Sequence, residues 1–475
     1  MDASRFDVVI LGGGPAGERA AIQAARAGKQ VALIEREHVV GGACINWGTI
    51  PSKALRESAV FVHSLTTNRI EGIRCEIADR ITMADFMHHK EVVVQRELEL
   101  VNRTLEKYRI EVFEGHARFI EAHTISITGR DGGERLCLAG DVIVIATGSS
   151  PNRPADIHFD GDTVFDSDTI LRLERLPGSM IVLGAGVIGV EYATIFAALG
   201  IRVTLIDTRD RLLPYLDREI VSLLERSLEK LGILLVRHDH YRKIERVAHG
   251  KPRVRCLTRG GNVLEANILL YCVGRDGNTR DLGLETIGIT PSERGLLEVN
   301  EFYQTVHAHI YAVGDVIGYP ALASTSAEQG RQAIRHAFDI PGPRGRTEML
   351  PFAIYTIPEI SFIGPSEEEL QAQGADYVVG RGLYELNPRG QILSDTDGIL
   401  KLCFETSSLR LLAAHIIGTN AAEPVNVGQA FLRNNADAWH IAETLYNYPT
   451  LSDLYRHAGL EAIAAGRREM ERRSK

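Results

Sequence analysis

The chain opens on an almost unbroken apolar run, Phe6 to Leu11, that stops at Gly12-Gly13-Gly14. A short continuous apolar run ended by a turn reads as a strand buried on both faces, as in parallel sheets. An Ala-rich helical segment follows from Glu18 to Ala27, and a second run, Gln30 to Ile34, ends on Glu35. The succession is strand, helix, strand, and its short loops imply parallel pairing. It recurs downstream as Met180 to Leu183, the loop Gly184 to Gly189, a helix through Leu199, and a strand from Arg202 to Ile206 that ends on Asp207. Between the two units lies a helix-rich stretch, 51–107, whose part from Glu91 to Tyr108 alternates charged and apolar residues at helical spacing. A strand-rich stretch, 110–146, comes next, broken by hairpin-turn residues at Gly129 to Gly133. After the linker Pro341-Gly342-Pro343 the texture changes, from about Met349, to strands and helices without glycine loops. The charged tail, Arg467 to Lys475, is expected to fray.

The length of 475 residues suggests about three domains at roughly 150 residues each. Hydrophobic residues make up 44% of the chain and no apolar run approaches a bilayer span. A net charge of -9 speaks against a nucleic-acid surface, which needs an excess of Lys and Arg on one face. The first five residues are too weakly basic for a signal segment, so the expected location is cytoplasmic. Six scattered cysteines without a C-x-x-C pair fit a reducing compartment. His88-His89, His238 and His240 have no further ligand at metal spacing, so no metal is expected.

The two glycine loops carry the chemistry. In a G-x-G-x-x-G fingerprint the first glycine makes the tight turn, the second lets backbone approach a pyrophosphate, and the third lets helix pack on strand; the helix N-terminus offers free N–H groups to the anion. Gly12, Gly14 and Gly17 fill these roles in the first unit, and Gly184, Gly186 and Gly189 in the second. Glu35 and Asp207 stand where an acid would bind ribose hydroxyls. Two dinucleotides on one chain imply electron traffic between them.

Ile145-Ala146-Thr147-Gly148, Cys272-Val273-Gly274-Arg275 with Asn278-Thr279, and Tyr311-Ala312-Val313-Gly314-Asp315 follow in order. With the fingerprints they resemble the two-dinucleotide-binding flavoprotein oxidoreductases, the family of dihydrolipoamide dehydrogenase and glutathione reductase, over nearly the whole chain. The resemblance implies an α/β fold with two Rossmann-like domains, the NAD(P) domain inserted in the FAD domain, plus a C-terminal α+β dimerisation domain. The implied boundaries are 1–150 and 281–345 for the FAD domain, 151–280 for the NAD(P) domain and 346–475 for the dimerisation domain. It further implies one FAD per chain, NAD(H) and NADP(H) as substrates, and a homodimer or higher homo-oligomer. Thr147, Gly148, Gly274, Arg275, Gly314 and Asp315 are then cofactor-binding, with Asp315 directed to the flavin ribityl chain.

Two positions depart from that family. Its disulfide reductases carry C-x-x-x-x-C against the flavin, where this chain has Cys44 and Thr49 after Gly42. A hydroxyl cannot form a disulfide, so Cys44 lacks its partner; Cys75, the nearest alternative in sequence, is not positioned by anything local. Gly42, Cys44 and Thr49 are therefore read as residues packed on the flavin. The family's C-terminal H-P-T-x-x-E is Tyr448-Pro449-Thr450-Leu451-Ser452-Asp453 here, and a phenol titrating near 10 is a poor base at neutral pH. With the disulfide half lost and the flavin half intact, the sequence is similar to the subgroup that exchanges reducing equivalents between NADPH and NAD+.

Both nucleotides would use the second fold. Asp207 suits the ribose hydroxyls of NAD(H), and Arg209 and Arg211 would neutralise the 2′-phosphate of NADP(H). The family assigns the hydride step to a lysine and a glutamate beside the flavin, here Lys53 and Glu191; where some members carry a gating Tyr this chain has Val187. A ping-pong cycle follows. A dihydrolipoamide dehydrogenase-like disulfide reductase, an NAD(P)H oxidase or diaphorase, and a non-enzymatic nucleotide sensor share the same scaffold and stay open as alternatives.

Overall fold

The computed structural model describes residues 3–67, 82–130, 132–133, 135–247, 253–343, 345 and 349–474, the side chains of 66, 67 and 135 excepted. Cys75 and Asp131 lie outside the described residues.

Five strands form the parallel part of the first sheet, in the order Glu111–Glu114, Val31–Glu35, Ser4–Leu11, Arg135–Ile145 and Ile310–Ala312. The first half of Arg135–Ile145 also pairs antiparallel with Thr124–Thr128, which pairs with His116–Glu121, and the glycines near 130 turn this hairpin. The apolar run splits between two faces by its period of two. Val8 and Ile10 pack with Leu33 and Val144 under the helices, while Val9 and Leu11 pack with Ile143 and Phe119 on the other side. Each such side chain, fully buried, contributes about 1.5–3 kcal/mol relative to exposure.

The second sheet is parallel, in the order Leu234–Val236, Arg202–Ile206, Ser179–Leu183, Ile268–Tyr271 and Val164–Asp166, with a three-stranded antiparallel sheet of Tyr241–Val247, Arg253–Thr258 and Val263–Ala266 beside it. The chain passes into and out of this unit on two paired strands, Ser149–Pro151 and Arg275–Gly277. Its central helix, Val187–Ala198, is apolar round most of its circumference apart from Glu191 and Thr194, and largely buried, as expected of a helix covered by neighbours all round.

The third unit is a five-stranded antiparallel sheet covered by Val425–Arg433, Ala438–Glu443 and Leu454–Arg473. The last helix corrects the expectation of a frayed tail. Arg473 binds both oxygens of Asp376 and donates to Glu469 one turn back, which holds the helix to its end. A buried ion cluster joins the second and third units: Lys401 Nζ lies 2.8 Å from Asp217 Oδ2 and 2.5 Å from Glu367 Oε2. Burial would lower the ammonium, but these carboxylates outweigh it and hold it above its ordinary range. Removing one member of a buried cluster leaves a charge unpaired, at a cost of about 3–5 kcal/mol. Lys401→Met should accordingly lower the thermal midpoint by several degrees, whereas Lys230→Met, at an exposed pair with Asp397, should leave it unchanged in the same melt. Among the described residues no helix is long and apolar enough to cross a membrane.

Candidate active site

The two glycine loops are built alike. In the first, the Gly13 N–H donates to Glu35 Oε2 at 2.8 Å; in the second, the Ala185 N–H donates to Asp207 Oδ2 at 2.6 Å. Each acid ends the second strand of its unit and secures the loop between the first strand and the helix. A Cβ on Gly17 would lie 1.9 Å from the Gly12 carbonyl oxygen, and one on Gly189 1.8 Å from that of Gly184, so only glycine lets helix and strand approach this closely. Gly14 and Gly186 cap the two helices without a side-chain bond, which leaves the first N–H groups open to an anion.

The first loop faces Gly42, where a Cβ would fall 2.7 Å from Gly14 Cα. Nearby, the hydroxyls of Thr147 and Thr325 are buried without a protein partner, and Thr325 sits at the start of a helix, Ala323–Ala337, that also lacks a side-chain cap. Uncapped helix ends, a glycine cradle and orphaned hydroxyls suit a large ligand with a pyrophosphate, as FAD has. Asp315 accepts from Ser149 Oγ at 2.8 Å, and the Gly314 N–H donates to Gln329 Oε1 at 2.7 Å, which ties this turn to the helix. Gly148 meets Asn278 through its carbonyl at 3.0 Å.

Cys44 lies in a short helical segment, Gly42–Asn46, and Thr49 opens the long helix that follows it, Thr49–Thr67. Burial pushes the Cys44 thiol up, against a hydrogen bond from Thr49 and the charge of Lys53. A thiol held above its ordinary value has little thiolate to offer at neutral pH. The five described cysteines are all free.

One turn further along the same helix, Lys53 Nζ reaches Glu191 Oε2 at 2.6 Å. Glu191, on the buried helix of the second unit, accepts the Tyr355 N–H at 2.7 Å through its other oxygen, and the Tyr355 ring lies 5.0 Å beneath the ammonium. Arg56, on the same helix as Lys53, donates to the Thr356 carbonyl at 3.1 Å and pairs with Glu359 at 3.1 Å. All three units thus meet at this ion pair. Tyr355 carried no sequence signal, because its contribution is a backbone N–H and a ring face.

A cleft of about 370 Å³ opens over the second glycine loop, lined by Gly184, Gly186, Asp207, Thr208, Arg209, His240 and their neighbours. Arg209 holds Asp207 through two bonds, 2.8 and 2.7 Å. Burial opposes the carboxylate, yet these bonds and two backbone N–H groups keep it below its ordinary range. The structure places Arg211 apart from this cleft. It is absent from the cleft lining; its guanidinium donates to the carbonyls of Pro214 and Leu216 and faces Glu368 of the third unit. The loop 212–216 folds back under buried Leu212, Leu213 and Leu216, and its carbonyls capture the nearest cation.

Arg275 is held by contacts within the chain. Its donors go to Ser149, to Ser167 and, at 3.3 Å, to Asp168, so it braces the two connecting strands; Gly274 lines the cleft. Its bond to Ser149 and the bond from Ser149 to Asp315 form a continuous relay from the second unit to the first.

The cleft wall contains residues that no motif marked. Asp239 is buried and accepts from the N–H groups of His240 and Gly260 at 2.8 Å and from Asn262 at 2.9 Å. Burial works against its ionisation, but these bonds and one from Thr258 hold its carboxyl at about 2. The folded value lies below the unfolded one of about 3.9, so Asp239 adds stability above about pH 4 that is lost as pH falls toward 2. Asp239→Asn should flatten the acid limb of unfolding in that window, read by circular dichroism.

At the third unit, Tyr448 stands 69% exposed. Asp453 does not orient it: the carboxylate accepts from Arg456 at 2.9 Å within its own helical turn. Leu386, Ile392 and Leu445 on the same unit are also largely exposed.

Residues 6–330 match the pyridine nucleotide-disulphide oxidoreductase family, and residues 350–458 match the dimerisation domain of that family. The chain is 42% identical over 458 residues to the soluble pyridine nucleotide transhydrogenase of Mycobacterium bovis, covering 96% of this chain and 97% of that one. It is 42% identical over 469 residues to the protein of the same name from Chromohalobacter salexigens, covering 98% and 99%. Among solved structures, LpdA of Mycobacterium tuberculosis superposes with a TM-score of 0.89 at 27% identity, covering 98% of this chain and 100% of that one. The HOCl-induced flavoprotein disulfide reductase RclA of Escherichia coli superposes with a TM-score of 0.85 at 27% identity, covering 96% and 99%.

Proposed function

The chain belongs to the pyridine nucleotide-disulphide oxidoreductase family, and within it we propose that this enzyme moves hydride between NADPH and NAD+ in a ping-pong cycle, with no redox disulfide. FAD, when bound, would supply a flavin able to accept and return a hydride. The residues supply the rest. Gly12, Gly14, Gly17, Glu35 and Gly42 would cradle its pyrophosphate and ribose, with Thr147, Gly148, Gly314 and Asp315 along its length. Gly184, Gly186, Gly189, Gly274 and Asp207 would hold the nicotinamide nucleotide, and Arg209 would take the 2′-phosphate. Lys53, fixed by Glu191, would place a cation where charge develops on the flavin.

The observation that carries this reading is the pairing of Cys44 with Thr49, beside an intact Lys53–Glu191 pair. A disulfide reductase must relay two electrons onward to sulfur, and here the relay has one sulfur. Anaerobic titration of the holoprotein with dithionite should therefore consume two electrons per FAD. Consumption of four, the flavin plus a disulfide, would contradict the proposal. The match to a dimerisation domain and the exposed Leu386, Ile392 and Leu445 within it support a homodimer that pairs isologously through the third unit.

A further inference from the structure

Resting on the reading that this cleft takes both NADP(H) and NAD(H), we infer that His240 is the second partner of the 2′-phosphate, and that it takes up a proton as the phosphate binds. The inference comes from which donors the cleft has left. A phosphate monoester carries close to two negative charges near neutral pH and offers strong acceptor oxygens. Arg209 is one cation for it, but Asp207 holds Arg209 bidentately, so the pair brings no net charge. Arg211 is spent on its own loop. In the wall, the Tyr241 hydroxyl donates to Asp156 at 3.3 Å and Asp239 is saturated by donors. Burial pushes the Cys272 thiol well up. Thr208 and His240 remain, and of these only His240 can become a cation.

The ring is held for that task. Its Nδ1 lies 2.8 Å from the Tyr241 carbonyl oxygen, and because a carbonyl only accepts, Nδ1 carries the hydrogen. In the neutral ring Nε2 is then an acceptor, with nothing to offer a phosphate; in the protonated ring it donates. The backbone around it is fixed by the His240 N–H on Asp239 at 2.8 Å and by the Arg259 N–H on the His240 carbonyl at 2.8 Å. The ring centroid is 4.6 Å from that of Tyr241. The titratable and charged groups around it are Asp207, Arg209 and Cys272 in the cleft, Asp239 and Tyr241 on its own segment, Arg259 beside it, and Asp156 behind Tyr241. An arriving phosphate sets its negative charge against the ring, and a hydrogen bond from Nε2 to it requires the protonated form.

The test is calorimetric titration of the holoprotein with NADP+ and with NAD+, near neutral pH, in two buffers of different ionisation enthalpy. Wild-type protein should take up part of a proton with NADP+ and none with NAD+. His240→Gln should lose that uptake and bind NADP+ about tenfold more weakly, the scale of one charge-assisted hydrogen bond, with NAD+ affinity changed by less than about twofold. His240→Arg should restore the NADP+ affinity without the uptake, which separates charge from folding. Equal weakening of both nucleotides by His240→Gln would place the ring on the shared adenosine and overturn the inference, as would NADP+ binding and uptake indifferent to the substitution. Failure of wild-type protein to bind NADP+ would overturn the function proposed above, a distinguishable result.

Discussion

Glu191→Gln is expected to slow the bleaching of the flavin's visible absorbance by NADPH about 100-fold in anaerobic stopped flow, with FAD content unchanged. The amide keeps an acceptor for the Tyr355 N–H but loses the charge that holds Lys53 at 2.6 Å. A preorganised charge aimed at a reacting centre is worth about 10²–10³ in rate when removed. Lys53→Met should lose as much, and the double variant little more than either alone, since the two side chains act as one unit. A pair that only joined the units would behave differently. Its loss would lower the thermal midpoint, while flavin in the protein that stayed folded would be bleached at close to the wild-type rate.

Arg209→Glu should raise the Kd of NADP(H) about 100-fold and that of NAD(H) no more than about threefold. Among the described residues Arg209 is the one arginine in the cleft lining, and the substitution replaces a bidentate cation by a second carboxylate beside Asp207. A hydrogen bond to a charged group is worth about 1.5–3 kcal/mol, and about 1.4 kcal/mol corresponds to tenfold in affinity. Arg211→Glu serves as the contrast. Its guanidinium braces the carbonyls of Pro214 and Leu216, so its loss should disturb both nucleotides alike. Selective loss of NADP(H) in the Arg211 variant, with none in the Arg209 variant, would reverse the assignment.

The two dinucleotide folds were legible because their chemistry is local. Gly12 to Glu35 and Gly184 to Asp207 each bring a turn, a helix start and a strand-end acid together within one βαβ unit, so spacing alone indicates the arrangement. The Lys53–Glu191 pair spans 138 positions and was reached only through resemblance, because neither residue is marked by its neighbours. Arg211 is the opposite case. It lies four residues past Asp207, where sequence distance suggests a shared site, but the apolar side chains of Leu212, Leu213 and Leu216 turn the loop and aim the guanidinium at its carbonyls. His240 follows a strand with no fingerprint, and only the fold brings it to the wall of the same cleft. The tail was misjudged because its anchor, Asp376, lies 97 positions away from Arg473.

Hydride exchange between the two nucleotides is tested most directly by mixing the holoprotein anaerobically with NADPH and a thionicotinamide analogue of NAD+. The analogue should be reduced, at a rate matching flavin turnover and with parallel double-reciprocal lines, while a lipoamide substrate is left untouched. Lipoamide turnover with no reduction of the analogue would contradict the account.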